Sequence, residues 1–190
     1  MNIKMLKAAV AGLILSASGF ANAGLINLTG TIDDLDDYII TEFEITAAGT
    51  VRGWTDSFND FENFDPIVSL WASDGSWILT NDDNSSINPA TQSYYDSGFE
   101  SFLAAGTYYF TVSSFNSFPL TTENLFSGSP FDGVAESQKT FYETNYPNMG
   151  MDYSIWFDGA DSARAVPEPS TLAIFALGIM GLASRRFKKQ

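Results

Sequence analysis

The sequence predicts an all-β fold: one antiparallel β-sandwich, with a segment of different character at each end of the chain. Three observations predict it. Three stretches alternate apolar and polar residues with a period of two over seven or more positions, the pattern of half-buried strands. Turn-forming residues stand between them. No stretch between the two ends keeps the 3.6-residue period of an amphipathic helix.

Taken in order, Leu25 to Ile32 is a weaker strand candidate. Tyr38 to Thr46 is a strong one, with Ile39, Thr41, Phe43 and Ile45 on one face and Glu42 and Glu44 on the other. Thr50 to Ser57, Pro66 to Ala72, Ser76 to Thr80 and Gly98 to Leu103 are shorter or less regular. Thr107 to Ser113 alternates again, with Tyr108, Phe110 and Val112 inward, and so does Met151 to Asp158, with Met151, Tyr153, Ile155 and Phe157 inward. Ala48-Gly49, Asp74-Gly75, Asn81 to Asn84 and Ala105-Gly106 supply the turns. Asn116 to Asn148 breaks the rhythm. It carries Pro119, Gly128, Pro130, Gly133 and Pro147, with Phe118, Phe126, Phe131, Phe141, Tyr142 and Tyr146 spread through it. An insertion this long inside one domain is expected to be packed down by its own aromatics, the alternative being a binding surface.

The N-terminal segment is an export signal. Lys4 and Lys7 give a positive start, Ala8 to Phe20 an apolar core, and Ala21-Asn22-Ala23 a small-residue cleavage site. Residues 1–23 are therefore expected to be removed by signal peptidase, leaving the sandwich domain at 24–164 and a third segment at 165–190.

That third segment has three parts. Pro167-Glu168-Pro169 fixes two φ angles and removes two backbone donors, which keeps this stretch extended. Leu172 to Ala183 is uncharged and apolar all round, as in a helix surrounded by lipid. It is shorter than the ~20 residues of a full span. Arg185, Arg186, Lys188 and Lys189 close the chain and favour a cytoplasmic end. The arrangement resembles the PEP-CTERM sorting signal of Gram-negative bacteria. The resemblance implies recognition by an exosortase, with Pro167, Glu168, Pro169, Arg185 and Arg186 as the signal. It also implies an inner-membrane intermediate held by an anchor helix at residues 172–183, then transfer to the cell surface or extracellular matrix.

Composition narrows the chemistry. Of 23 acids in the chain only Glu168 lies outside Asp33–Asp161, whereas Arg52, Lys139 and Arg164 are the domain's cations, so residues 24–164 carry a net charge near −19. Such a surface repels nucleic acid. The chain has no histidine and no cysteine. A Ser-His-Asp triad, thiol catalysis, disulfides and the usual zinc sites are thereby excluded.

Two clauses of the domain carry a second resemblance. One is Thr29-Gly30-Thr31-Ile32-Asp33-Asp34-Leu35-Asp36-Asp37-Tyr38, running into a strand. The other is Phe64-Asp65-Pro66-Ile67-Val68-Ser69-Leu70-Trp71, then Asp74-Gly75, Asn81-Asp82-Asp83, and Ala104-Ala105-Gly106-Thr107-Tyr108-Tyr109. This is similar to the bacterial pre-peptidase C-terminal domain, which implies a secreted, jelly-roll-like β-sandwich.

The acidic turns are the candidate site. Calcium takes six to eight oxygen ligands, which carboxylate-rich turns at one pole of a sandwich can supply. The resemblance implies the same ion, and Asp36, Asp82 and Asp83 are the expected ligands. No EF-hand is present: Asp82-x-Asn84-x-Ser86 begins like one, but Ile87 and Ser93 stand where its Gly and Glu belong. Turn capping by Asx side chains is the other reading of these acids. Trp54, Trp71, Trp77 and Trp156 are candidate sugar-stacking rings, Trp71 and Trp156 falling on the outward register of their strands. The expected function is non-catalytic: an exported surface or matrix protein associated with exopolysaccharide and biofilm. A secreted carbohydrate-binding module is the alternative, and a carboxylate hydrolase a more distant one.

Overall fold

A computed structural model describes residues 24–166 and shows nine strands and one helix among them. The strands are β1 (Ile26–Thr31), β2 (Tyr38–Ile45), β3 (Gly49–Thr55), β4 (Pro66–Ala72), β5 (Trp77–Asn81), β6 (Gly98–Leu103), β7 (Gly106–Ser114), β8 (Asp152–Asp158) and β9 (Ser162–Val166); helix α1 spans Glu136–Asn145. They form two antiparallel sheets, in the orders β1-β8-β3-β6 and β5-β4-β7-β2-β9. The all-β sandwich expected from the alternation is present. The expected signal peptide and anchor helix lie outside the described residues.

The core follows from the alternation. Phe43 and Ile45 of β2, Phe110 and Val112 of β7, and Val68 and Leu70 of β4 face Val51, Phe99, Ile155 and Phe157 of the other sheet. Rings meet across the gap, with Phe43–Phe157 centroids 5.0 Å apart and Phe110–Phe157 centroids 5.2 Å apart. Gly53 of β3 is required here, because a Cβ at this position would lie 2.6 Å from the Phe99 ring.

The five-stranded sheet is covered on its outer face as well. Ile40 and Trp71 pack there under Leu125 and Phe131 of the long insertion. Phe131 lies on Tyr38 at 4.4 Å and on the edge of Trp71 at 6.0 Å. Leu125 and Phe131 thus cover part of this outer face, while Phe118, Phe126 and Phe141 of the insertion stay exposed. Two elements depart from expectation. Helix α1 lies within the insertion, where no helical period is visible. β9 pairs with β2 and carries the sheet to Val166, two residues beyond the expected domain end.

Candidate functional site

The β4–β5 hairpin builds the acidic site. Asp65 immediately precedes β4, and Asp82 and Asp83 immediately follow β5. The strands are antiparallel, with Val68 opposite Asn81, so the hairpin returns these acids to one end of the sandwich. One carboxylate oxygen from each of Asp65, Asp82 and Asp83 lies within 4.8 Å of the others. Ligand oxygens at about 2.3–2.6 Å from a calcium ion are at most about 5 Å apart, so this spacing fits one coordination sphere.

The cluster is graded in exposure. Asp65 is 5% exposed, Asp82 half-buried and Asp83 open to solvent. Oδ1 of Asp65 and Oδ1 of Asp82 are buried without a hydrogen-bond partner. Burial pushes the Asp65 carboxyl up to about 8, with Asp82, Asp83 and Asp96 adding repulsion. Burial and then Asp83 push Asp82 up to about 6. Asp83 is raised by burial. Helix α1 contributes Tyr142, whose hydroxyl is pushed up to about 12 by burial, with Asp65 and Asp82 among the further causes.

Among the described residues, no cation relieves this charge. Arg52 pairs with Glu100 at 2.5 Å and reaches Asp158 at 3.8 Å; Lys139 pairs with Asp36; Arg164 pairs with Glu42 at 2.7 Å. Unpaired carboxylate oxygens at this depth are costly when ionised. They have two remedies, a proton or a bound cation. The residues fit a hard divalent ion: three oxygen donors, one deep and one at the surface.

Nearby Asp96 behaves differently. Burial raises its carboxyl, yet it accepts bonds from the Ser57, Phe58 and Ser93 N–H groups and the Thr55 hydroxyl at 2.7–3.1 Å. It is a satisfied structural acid.

Of the expected ligands, Asp82 and Asp83 come together and Asp36 does not join them. Asp36 accepts bonds from Lys139 Nζ and from the Val134 N–H, which hold its carboxyl below the usual range. The rest of that turn caps itself, Asp34 N–H donating to Asp37 at 2.9 Å and Asp36 N–H to Asp34 at 3.1 Å. The acid that lies with Asp82 and Asp83 is Asp65. Its signal was present in the hairpin: pairing Pro66–Ala72 with Trp77–Asn81 brings the residue before one strand to the residues after the other.

The tryptophans are mostly committed to packing. Trp71 is fully buried and donates to the Thr111 hydroxyl at 3.0 Å. Trp54 is buried and stacked on Trp156 at 6.3 Å, and Trp156 donates to Asp56 at 2.8 Å. Trp77 is 38% exposed and donates to the Thr80 hydroxyl at 2.9 Å. Trp71 is therefore not a sugar-stacking ring, because the insertion covers the face on which its register places it.

The sorting residues Pro167, Glu168, Pro169, Arg185 and Arg186 lie outside the described residues. Edge strand β9 ends at Val166, directly before Pro167. No helix among the described residues is long and apolar enough to cross a membrane. The run at 172–183 lies outside them. A family model for the PEP-CTERM protein-sorting motif matches residues 165–189. The chain thus carries a segment similar to signals that direct export and sorting by exosortase. No curated protein matches the chain at a significant level of similarity.

Proposed function

We propose that this chain is an exported, non-catalytic protein of the cell surface or extracellular matrix of a Gram-negative bacterium, associated with exopolysaccharide and biofilm. The PEP-CTERM match at 165–189 carries the reading. Signal peptidase removes residues 1–23, the apolar run at 172–183 holds the intermediate in the inner membrane, and an exosortase acts at or near Pro167-Glu168-Pro169. β9 pairs with β2 through Val166, so the sheet overlaps the first two residues of the matched segment and ends directly before Pro167-Glu168-Pro169, where the exosortase is taken to act. The strands alternate between the two sheets along much of the chain, which supports the jelly-roll-like, pre-peptidase C-terminal likeness.

Within that role the domain binds a divalent cation, calcium by its oxygen-only donors, through Asp65, Asp82 and Asp83. The two buried, unpartnered carboxylate oxygens support this assignment. Asp65 is too deeply buried to reach a glycosidic oxygen, which favours binding over hydrolysis. The test of sorting is replacement of Pro167, Glu168 and Pro169 by Ala, followed by cell fractionation. Accumulation in the inner membrane is expected; unchanged release to the surface would sink the reading.

A further inference from the structure

An unusual turn spans Asn59 to Glu62. The Glu62 N–H donates to the Asn59 carbonyl at 2.8 Å, closing a tight turn. Both central residues have positive φ, Asp60 at 47° and Phe61 at 61°. This is the sign pattern of a type I′ turn, which strongly favours Asn-Gly because most side chains disfavour the left-handed region. A phenylalanine at the usual glycine position calls for a reason, and such outliers concentrate where a side chain must be presented.

The turn is anchored from below. Buried Asn63 donates to the Ser57 carbonyl at 2.9 Å and the Asp152 carbonyl at 2.5 Å, and accepts the Asp152 N–H at 3.0 Å. The Gly150 N–H donates to the Glu62 carbonyl at 2.8 Å. On this base the Phe61 ring stacks on Tyr146 at 4.4 Å and meets Phe58 and Tyr95 edge-on at 5.2 and 5.8 Å. Tyr94, 54% exposed, donates its hydroxyl to Asp60 at 3.0 Å, and Phe141, 45% exposed, flanks Tyr146.

Two cavities flank Glu62. One, of about 640 Å³, is lined by Thr29, Thr31, Ser57, Asn59, Glu62 and Asp152 among others. The other, of about 540 Å³, is lined by Phe61, Tyr146, Asn145 and Asn148 among others and is open to solvent. Glu62 lines both. Each volume is in the range of small-molecule sites.

We propose that this groove binds a neutral oligosaccharide. The half-buried Phe61 and Tyr146 rings in the wall offer apolar surface to the C–H faces of pyranose rings. Hydroxyls, amides and carboxylates beside them match the alternating donors and acceptors of sugar hydroxyls. The lining includes Glu62 and Asp152 and no cation, so uronate and sulfated polymers are repelled. The proposal takes only its ligand class from the matrix-association reading above; it needs neither the sorting signal nor the cation site.

The test is titration of the full chain, purified in a zwitterionic detergent without a sugar headgroup, with cellohexaose, maltohexaose, chitohexaose and polygalacturonate. Each is run with calcium and with EDTA, so that loss of the cation site is seen separately. Binding of at least one neutral hexasaccharide at millimolar or tighter affinity is expected, with none to polygalacturonate. Phe61→Gly removes the ring while suiting the turn, and Glu62→Ala removes an exposed carboxylate shared by both cavities. Each is expected to weaken binding at least tenfold, Glu62→Ala without a change in melting temperature. If Phe61→Gly fails to fold, Glu62→Ala decides. Absence of binding to all three neutral hexasaccharides, preference for polygalacturonate, or binding untouched by Glu62→Ala would overturn the proposal.

Discussion

Lys139 Nζ donates to the Asp36 carboxylate, joining positions 103 residues apart and tethering helix α1 to the turn before β2. Asp36 also accepts the Val134 N–H, just ahead of the helix. The helix has little else of its own: Ala135 at its N-cap makes no side-chain bond, and no basic residue stands in its last turn. The same pairing occupies the insertion's only lysine.

Asp36→Asn is therefore expected to loosen the helix more than the sandwich. Amide exchange across residues 134–145 should quicken by about tenfold, while the melting temperature falls by no more than about 2–4 °C. Exchange mass spectrometry on parent and variant checks it; unchanged exchange would remove the tether. The parent carries a pH signature too. Asp36 has a lowered folded pKa, chiefly through the Lys139 bond and then the Val134 N–H. Its contribution is present above the ordinary value of 3.8 and is lost as pH falls through the lowered one.

Calcium should stabilise the folded chain through Asp65, Asp82 and Asp83. At 100 times the dissociation constant the gain is about 2.7 kcal/mol. Asp65→Asn separates the cation from the charge. Without calcium at pH 8 the variant should be more stable than the parent by about 1–3 kcal/mol, since an uncompensated buried carboxylate is gone. With calcium it should gain nothing. Calorimetric titration and chelated melts decide this; an unaltered calcium response in Asp65→Asn would move the site elsewhere.

The chelated parent should also be more stable at pH 5 than at pH 8. Asp65 has a folded pKa raised to about 8 from 3.8, and Asp82 one raised to about 6. An acid raised on folding contributes fully below its unfolded value, and that contribution is lost as pH rises through the folded one. The groups facing Asp65 are Asp82, Asp83, Asp96 and Tyr142, and none of them supplies a positive charge. Saturating calcium should shrink the difference, because the ion replaces the proton. Melts at the two pH values, with and without chelator, would contradict this if chelated stability rose from pH 5 to pH 8.

Sequence pattern exposed the sandwich because alternation is written by burial on one sheet face. It missed β9, since Ser162-Ala163-Arg164-Ala165-Val166 is short and small, with little side chain to alternate. It missed α1, because that helix buries only Tyr142 and so has no apolar stripe. The acids before Tyr38 stood out by number, yet the nearness of Lys139 to Asp36 is a tertiary fact. Asp65 is visible as the acid before β4, but it gains meaning as part of a cluster only from the register that brings Asp82 and Asp83 beside it.

Trp71 shows the same limit and gives a last test. Its register points it away from the core between the sheets, which alone would expose it, but Leu125 and Phe131 of the insertion bury it completely. The Leu125 N–H also donates to the Gly75 carbonyl at 2.9 Å, fixing the cover to the β4–β5 turn. Leu125→Ala should cost about 2–5 kcal/mol, the range for truncating a buried leucine. It should also shift tryptophan emission to the red and raise acrylamide quenching as water reaches Trp71. Phe102→Ala, at a position 73% exposed, should change stability by no more than about 0.5 kcal/mol and leave the emission unmoved. If Leu125→Ala behaves like Phe102→Ala, the insertion is not a third layer, and Trp71 regains the open face its register suggests.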